Sequence, residues 1–377
     1  MQRGKPRNRH LDYWVGTPLL NLLASVHRKR LPPARVQHIG VMCSPALGDT
    51  LLFSAALQDL RTAFPSARIT HVCMRQNLAA AEIIPGADRR VEIRLTHPLE
   101  AVQRMRAERF DVLLDFTSWQ RLTALYTLLA GARYTAGFQT PGQQRSRGYD
   151  RTVPHREVCH EVENFRALLR GCGLEPPIET GHSPAICVAT SRDVPFAEEP
   201  DIVALHLWAS GQRSWLREWA EHRWLELARR LRREDTLFVI TGAPSDLPRM
   251  QPFVEEMRAA GLRCEAFVSP DGFRTLTNVL RRCRLVVSVN TGVMHLGAIA
   301  GARVVAINGP NRNGRWGPVG PRAVGVEAPG EGCGYLHLGF NFDGNPTDCM
   351  ERTTVDHVYG AAQELMAHTG ELELCRA

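Results

Sequence analysis

None of the ten cysteines, at 43, 73, 159, 172, 187, 264, 283, 333, 349 and 375, forms a CxxC pair, and most lie inside apolar runs. That scatter excludes a small disulfide-stapled scaffold and favours reduced thiols. No secretory signal with a cleavage site is recognisable, which favours a cytoplasmic setting. No apolar run is long enough to span a bilayer; the best stretch, within 11–30, holds about 14 such residues. No GxGxxG follows the first strand-like run, so a dinucleotide fingerprint is not supported. No solenoid repeat recurs either.

Beyond residue 35 the chain also lacks net charge. Residues 1–35 carry Arg3, Lys5, Arg7, Arg9, Arg28, Lys29, Arg30 and Arg35 against Asp12 alone, which accounts for the whole formal +7. A basic arm on a neutral body argues against a nucleic-acid groove, and no nucleic-acid partner is expected. What is present is a soluble globular composition, 44% hydrophobic and 23% charged, over 377 residues. That length makes two domains of ~150 residues the natural expectation.

The arm itself, LDYWVGTPLLNLLASVHRKR at 11–30, reads as an amphipathic helix. Thr17-Pro18 supply an N-cap and first helical residue, and Leu19, Leu20, Leu22, Leu23 and Val26 follow as one apolar face. Tyr13 and Trp14 suit a headgroup boundary and the flanking cations suit anionic lipid. An interfacial membrane helix is therefore expected, with docking on the protein's own surface as the alternative.

The body alternates strand and helix. Val36 to Cys43 is a β-branched strand, Ser44 to Asp49 a turn, Thr50 to Phe64 a helix and Ala67 to Met74 a second strand, a Rossmann-type beginning. Strands are expected again near 88–93, 110–116 and 133–138, with helices between them. Residues 139–155 are rich in Gly, Gln, Arg and Pro and read as a mobile basic loop bearing Arg145, Arg147 and Arg151. The second half repeats the logic from Ile202 to Leu207 onward, and 319–348 reads as irregular before a last helix from Val355 to His368.

The most informative stretch is Ser288 to Pro318, which closes a βαβ unit. The strand Leu285 to Val289 meets a helix start at Asn290-Thr291-Gly292, where free N–H groups and the helix dipole make a seat for phosphate. His295, one turn on, is placed to face the same anion, or to act as a cap or core histidine. Asp49 follows Gly48 at the end of the first strand, where open α/β sheets present ligand groups. It reads either as a general base for an incoming hydroxyl or as an ordinary N-cap. Arg213 and Arg217 follow the strand 202–207 and offer positive charge to a leaving diphosphate. Trp215, Trp219 and Trp224 read as packing residues. Thr241-Gly242 end another strand and join the donor-side candidates.

Gly48-Asp49, the apolar helix and Phe64-Pro65-Ser66-Ala67-Arg68-Ile69 resemble the N-terminal signature of glycosyltransferase family 9, the ADP-heptose:lipopolysaccharide heptosyltransferases. Arg217-Glu218-Trp219 with His222-Arg223-Trp224 is similar to that family's Lys-Arg-Trp-Pro block. Asn290-Thr291-Gly292-Val293-Met294-His295 resembles its Asp-Thr-Gly-x-x-His motif, and Ile307-Asn308-Gly309-Pro310 through Arg315-Trp316-Gly317-Pro318 its Phe-Gly-Pro…Arg-Trp-Gly-Pro block. These pieces run in family order over about residues 36–360.

The resemblance implies an α/β GT-B fold, two Rossmann-like domains facing across a cleft. The expected layout is an arm at 1–35, an acceptor domain at 36–180, a linker at 181–200 and a donor domain at 201–350. Residues 351–377 then return to the first domain. It implies inverting, metal-independent transfer of heptose from ADP-heptose to a lipopolysaccharide-core hydroxyl, with no cofactor, on the inner face of a bacterial inner membrane. Asp49 becomes the base; Arg217, Asn290, Thr291, Gly292 and His295, with Thr241 and Gly242, the donor side; Gly48, Arg145 and Arg147 the acceptor side. Two residues depart from the pattern: Asn290 stands where aspartate is usual, and Arg217 where lysine is. Cys333 and Cys349 fall where some relatives have a cysteine-rich loop, and without CxxC spacing no metal is assigned to them.

Overall fold

The computed structural model describes residues 10–191, 193–211, 214–334 and 348–367. They form two α/β units that part within the expected linker, between Cys187 and Val188.

The first unit begins with a π-helical turn, Leu11–Gly16, running straight into helix α1, Thr17–Val26. Thr17 is thus inside a continuous helix and its hydroxyl is buried without a hydrogen bond, so the expected cap is not used. Then come β1 (His38–Met42), α2 (Leu47–Ala63), β2 (Arg68–Met74), α3 (Leu78–Ile83), β3 (Arg89–Ile93), α4 (Pro98–Glu108), β4 (Val112–Asp115), α5 (Arg121–Leu129) and β5 (Tyr134–Gln139). A 3-10 turn at Arg145–Gly148, β6 (Arg151–Pro154) and α6 (Glu161–Gly171) complete it. The sheet order is β3-β2-β1-β4-β5-β6, all parallel. Runs such as Val112-Leu113-Leu114 are apolar on both sides because helices cover both faces of a parallel sheet.

The arm is part of this unit rather than a separate appendage. Leu20 is fully buried in the core with Leu122, Leu125 and Tyr149, and Leu23 packs beside it. Asp12 accepts the Leu122 N–H at 2.9 Å and pairs with Arg121, so it caps α5 from outside that helix. At the other end Asp150 takes bonds from His27 and Arg30. The expected single apolar face is split: Leu20 and Leu23 turn inward, whereas Leu22 and Val26 are 65% and 77% exposed. Among the described residues no helix is long and apolar enough to cross a membrane.

The second unit holds β7 (Asp201–His206), a 3-10 turn at Ser214–Arg217, α7 (Glu221–Leu231), β8 (Thr236–Thr241), α8 (Leu247–Ala259), β9 (Arg263–Phe267), α9 (Phe273–Arg282), β10 (Leu285–Val289), α10 (Gly292–Ile299), β11 (Val304–Gly309), α11 (Asn313–Trp316), β12 (Ala323–Glu327), α12 (Cys349–Arg352) and α13 (Val355–Ala367). Its sheet order, β12-β11-β10-β7-β8-β9, is again fully parallel. The fold expected from the sequence, two Rossmann-like α/β units, is therefore present.

Each part of the segment between the sheets, and the last helix, attaches to one unit. Residues 181–187 are strapped onto the first unit, with the Gly181 and His182 N–H groups on Asp59 and Ala185 N–H on Ser54. Residues 188–200 are bound to the second, through Arg281 on the Val188 carbonyl and Arg263 on Glu199. In helix α13, Val355, Val358, Ala362 and Leu365 fill the core of the second unit, against α7, β11 and β12. Residues 368–377 lie outside the described residues.

The thiol expectation is corrected too. Cys333 and Cys349 form a disulfide, because the start of α12 is held within 5.8 Å (Cα–Cα) of Cys333. Those sulfurs are taken up by each other, while Cys43, Cys73, Cys159, Cys172, Cys187, Cys264 and Cys283 are in no disulfide.

Candidate functional site

Both sheets reverse their winding at one point, between β1 and β4 in the first and between β7 and β10 in the second. Crossover loops leave such a point in opposite directions, and the carboxyl ends of its strands open a crevice for ligand. Asp49 follows β1, Asp115 ends β4, Arg217 follows β7 and Asn290 follows β10. Asp49, Arg217 and Asn290, all expected from the sequence, thus stand at the switch point of their units, with Asp115 beside Asp49's strand.

In the first unit the N-cap of α2 is Ala46, so Asp49 lies in the first turn and not at the cap position. Its side chain is almost wholly buried, at 6% exposure, with the helix dipole favouring its charge. The turn before it is rigidly held. Buried Asn77 donates to the Ser44 carbonyl at 3.1 Å and to the Thr50 hydroxyl at 3.0 Å, while accepting the Met74 N–H at 2.8 Å. Gly48 sits within the same turn of helix. Burial, and then the nearby Asp49 charge, push the Cys43 thiol well above its usual range.

Arg145 is not on a mobile loop. It is fully buried in the 3-10 turn and donates to Asp115 at 2.9 Å, Thr117 at 2.8 Å and Tyr149 at 2.5 Å. Tyr149 in turn donates to Asp115 at 2.6 Å. Gly137 in β5 makes this possible, since a Cβ there would stand 2.5 Å from the Tyr149 ring. Burial pushes the Tyr149 phenol well above its usual range, so it stays a donor. The guanidinium's Nε and Nη1 have no hydrogen-bond partner among the described residues. Arg147, two residues on, is exposed and rests on Asn21 of α1 at 3.0 Å. Arg145 and Arg147 therefore belong to different environments.

In the second unit Thr291 is the extended N-cap of α10, and its side chain makes no capping bond. The N–H groups of that first turn and the dipole behind them are what an anion favours at a helix N-terminus. Asn290 is 7% exposed; its amide donates to Asn308 Oδ1 at 2.7 Å and to the Trp316 carbonyl at 2.9 Å. Asn308 donates onward to Asn313, whose amide reaches the Gly325 carbonyl at 2.7 Å. A Cβ on Gly325 would lie 1.9 Å from Asn313 Oδ1, so a larger residue there would displace the Asn313 side chain from this network. Arg217 donates to the Asn290 carbonyl at 3.2 Å and to Ser210 at 2.7 Å, which brings a fixed cation to that helix start. Arg315 lies over the Trp316 ring at 4.2 Å. His295 is buried in α10, one turn past Thr291.

Thr241 and Gly242 end β8, one strand beyond the switch point. Thr241 holds His206 through its carbonyl at 2.9 Å and hydroxyl at 3.0 Å, and Gly242 N–H is bound to the Phe267 carbonyl. Burial drives the His206 pKa down to about 4, so its ring is neutral. Trp219 and Trp224 pack as expected, at 5.4 Å, with Trp219 donating to the Thr353 carbonyl, but Trp215 is 59% exposed. Arg213 lies outside the described residues. Asn77 and Asp115 were missed by sequence reasoning: each is a lone polar residue in a turn or at a strand end, and no motif marks it. Asn308 lies in a motif block but was given no role there.

The comparisons with known proteins fit this geometry. The glycosyltransferase family 9 (heptosyltransferase) model matches residues 99–335. Lipopolysaccharide heptosyltransferase 1 of Escherichia coli K12 is 26% identical over 310 residues, 77% of this chain and 93% of that protein. The fold is shared with E. coli ADP-heptose lps heptosyltransferase II, at a TM-score of 0.68 and 18% identity over 88% of this chain and 98% of that one. A family 9 glycosyltransferase from Veillonella parvula gives 0.70 and 18% over 89% and 99%. The chain belongs to glycosyltransferase family 9, the heptosyltransferase family, and is a glycosyltransferase.

Proposed function

We propose that the protein moves a heptose from ADP-heptose to a hydroxyl of the lipopolysaccharide core, in one inverting displacement that needs no metal. The Asp49 carboxylate takes the acceptor's hydroxyl proton as its oxygen attacks the anomeric carbon. The bond from that carbon to the diphosphate breaks, and the leaving charge is met by the N–H groups at Thr291 and Gly292, with His295 and Arg217 beside them. The observation that carries this reading is Arg217 standing 3.2 Å from the Asn290 carbonyl, at the N-terminus of α10, on a sheet switch point. ADP-heptose is the donor named for the E. coli heptosyltransferase II whose fold it shares. Peripheral attachment to the inner face of the membrane is part of the proposal, supported by the outward-facing Trp14, Leu22 and Val26.

Labelled ADP-heptose with truncated lipopolysaccharide acceptors tests it. Transfer to one acceptor is expected; ADP binding without transfer to any would make the protein a non-catalytic binder. The neutral Asn290–Asn308 pair favours a second reading, a different nucleotide sugar on the same fold, so other ADP-sugars belong in the same assay.

A further inference from the structure

Helix α1 does not lie flush against the rest of the first unit. Between it and the segment 139–152 is an open cavity of ≈ 480 Å³. The helix side contributes Asn21, Ser25 and, just past its end, Lys29; the facing side contributes Gln139, Ser146 and Arg147. No carboxylate lines it. Asp150, which the lining residue His27 contacts, is buried and paired with Arg30 at 2.9 Å. Arg147 and Lys29 make no ion pair with a described residue, and Arg147 is held toward α1 by Asn21. The cavity is therefore cationic, rich in amide and hydroxyl groups, and small.

The same helix turns an apolar stripe to solvent. Leu19, Leu22 and Val26, spaced three and four residues apart, are 41%, 65% and 77% exposed, and Trp14 before them is 69% exposed. A free anion would use the cations and leave the stripe in water. An amphiphile uses both, with its charged head in the cavity and its hydrocarbon along the stripe.

We propose that this cavity binds the phosphorylated head group of a membrane lipid, holding the phosphate between Lys29 and Arg147 while Leu19, Leu22 and Val26 lie against the acyl region. This deepens the membrane-facing part of the proposed function, turning general surface attraction into a defined head-group site. It does not depend on the identity of the sugar donor.

The test uses the full chain and dihexanoyl phosphatidic acid below its micelle concentration, titrated calorimetrically. Sedimentation with phosphatidylcholine vesicles, with and without phosphatidic acid, runs in parallel. Saturable binding of the short-chain lipid is expected, weakened roughly 30-fold by Lys29→Gln with Arg147→Gln, from about 1 kcal/mol per cation. Ser25→Glu, which places a carboxylate in the cavity from an exposed position, is expected to have the same effect and serves if the double variant unfolds. Equal binding by wild type and both variants would overturn the head-group site while leaving the membrane-facing arm intact. Full displacement by equimolar inorganic phosphate would also overturn it, in favour of a free-anion site. Wild type that ignores vesicles of either composition would remove the arm reading itself. None of these outcomes bears on heptose transfer, because no nucleotide sugar is present.

Discussion

The two units use the same six-stranded winding and arm its carboxyl edge with different chemistry. At the β1/β4 crossing of the first, the buried groups are charged: Asp49, then Asp115 paired with Arg145. At the β7/β10 crossing of the second, a chain of amides, Asn290, Asn308 and Asn313, lines a helix N-terminus, and Arg217 binds by a backbone carbonyl. On the proposed reading, the carboxylate that takes the proton stands on one unit and the donors that meet the leaving anion on the other. Topology sets where each unit binds, and the side chains at the edge set what each can do there.

The largest effect should come from the first edge. Asp49→Asn is expected to lower kcat by about 10²–10⁴, the usual range for a lost general base, with donor KM little changed; steady-state rates check it. Next, Arg145→Ala leaves Asp115 buried without its cation and is expected to cost about 3–5 kcal/mol of stability, read by urea unfolding. An unfolding midpoint within error of wild type would mean the pair is replaceable.

Asn290→Asp sharpens the contrast from the other side. A carboxylate would face two acceptors, Asn308 Oδ1 and the Trp316 carbonyl, where the amide donates. Donor binding should weaken by roughly 1–3 kcal/mol and recover as pH falls, because a protonated carboxyl donates again. A deficit independent of pH would show that hydrogen-bond polarity is not what position 290 supplies.

The smallest effect concerns a feature both units share. Burial lowers the pKa of His71 to about 3 and that of His206 to about 4, against 6.5 ordinarily. The unfolded chain takes a proton as pH falls past 6.5 while these folded rings do not. Their stability contribution is therefore full above pH 6.5 and is lost as pH drops toward the folded values, at up to about 1.4 kcal/mol per pH unit each. His71→Phe should reduce acid sensitivity in the first unit alone, since both ring nitrogens of His71 lack partners and Phe53 packs 5.5 Å away. Hydrogen exchange in β2 and β7 at pH 7 and 5 distinguishes the units.

Most of the winding was legible because buried parallel strands are continuous apolar runs, and Leu285–Val289 announces itself. β6 and β12 escaped because Arg151–Pro154 and Ala323–Glu327 are short, half-buried edge strands without such runs. Of the candidate site, Asp49 and 290–295 were legible from strand-end position. Arg145 was misread because an arginine among Gly and Gln looks solvated; that Asp115 and Tyr149 await it, 30 residues upstream and four downstream, is a tertiary fact. The Cys333–Cys349 bridge was invisible for the same reason: sixteen residues of separation carry no spacing signal.

The division of labour between the units is tested most directly by ADP titrated calorimetrically into Asp49→Asn. A dissociation constant within about threefold of wild type, a difference under 1 kcal/mol, is the expected result, because the proposed anion seat stands on the other unit. An affinity loss as large as that variant's loss in rate would contradict it and place Asp49 in donor binding instead of proton transfer.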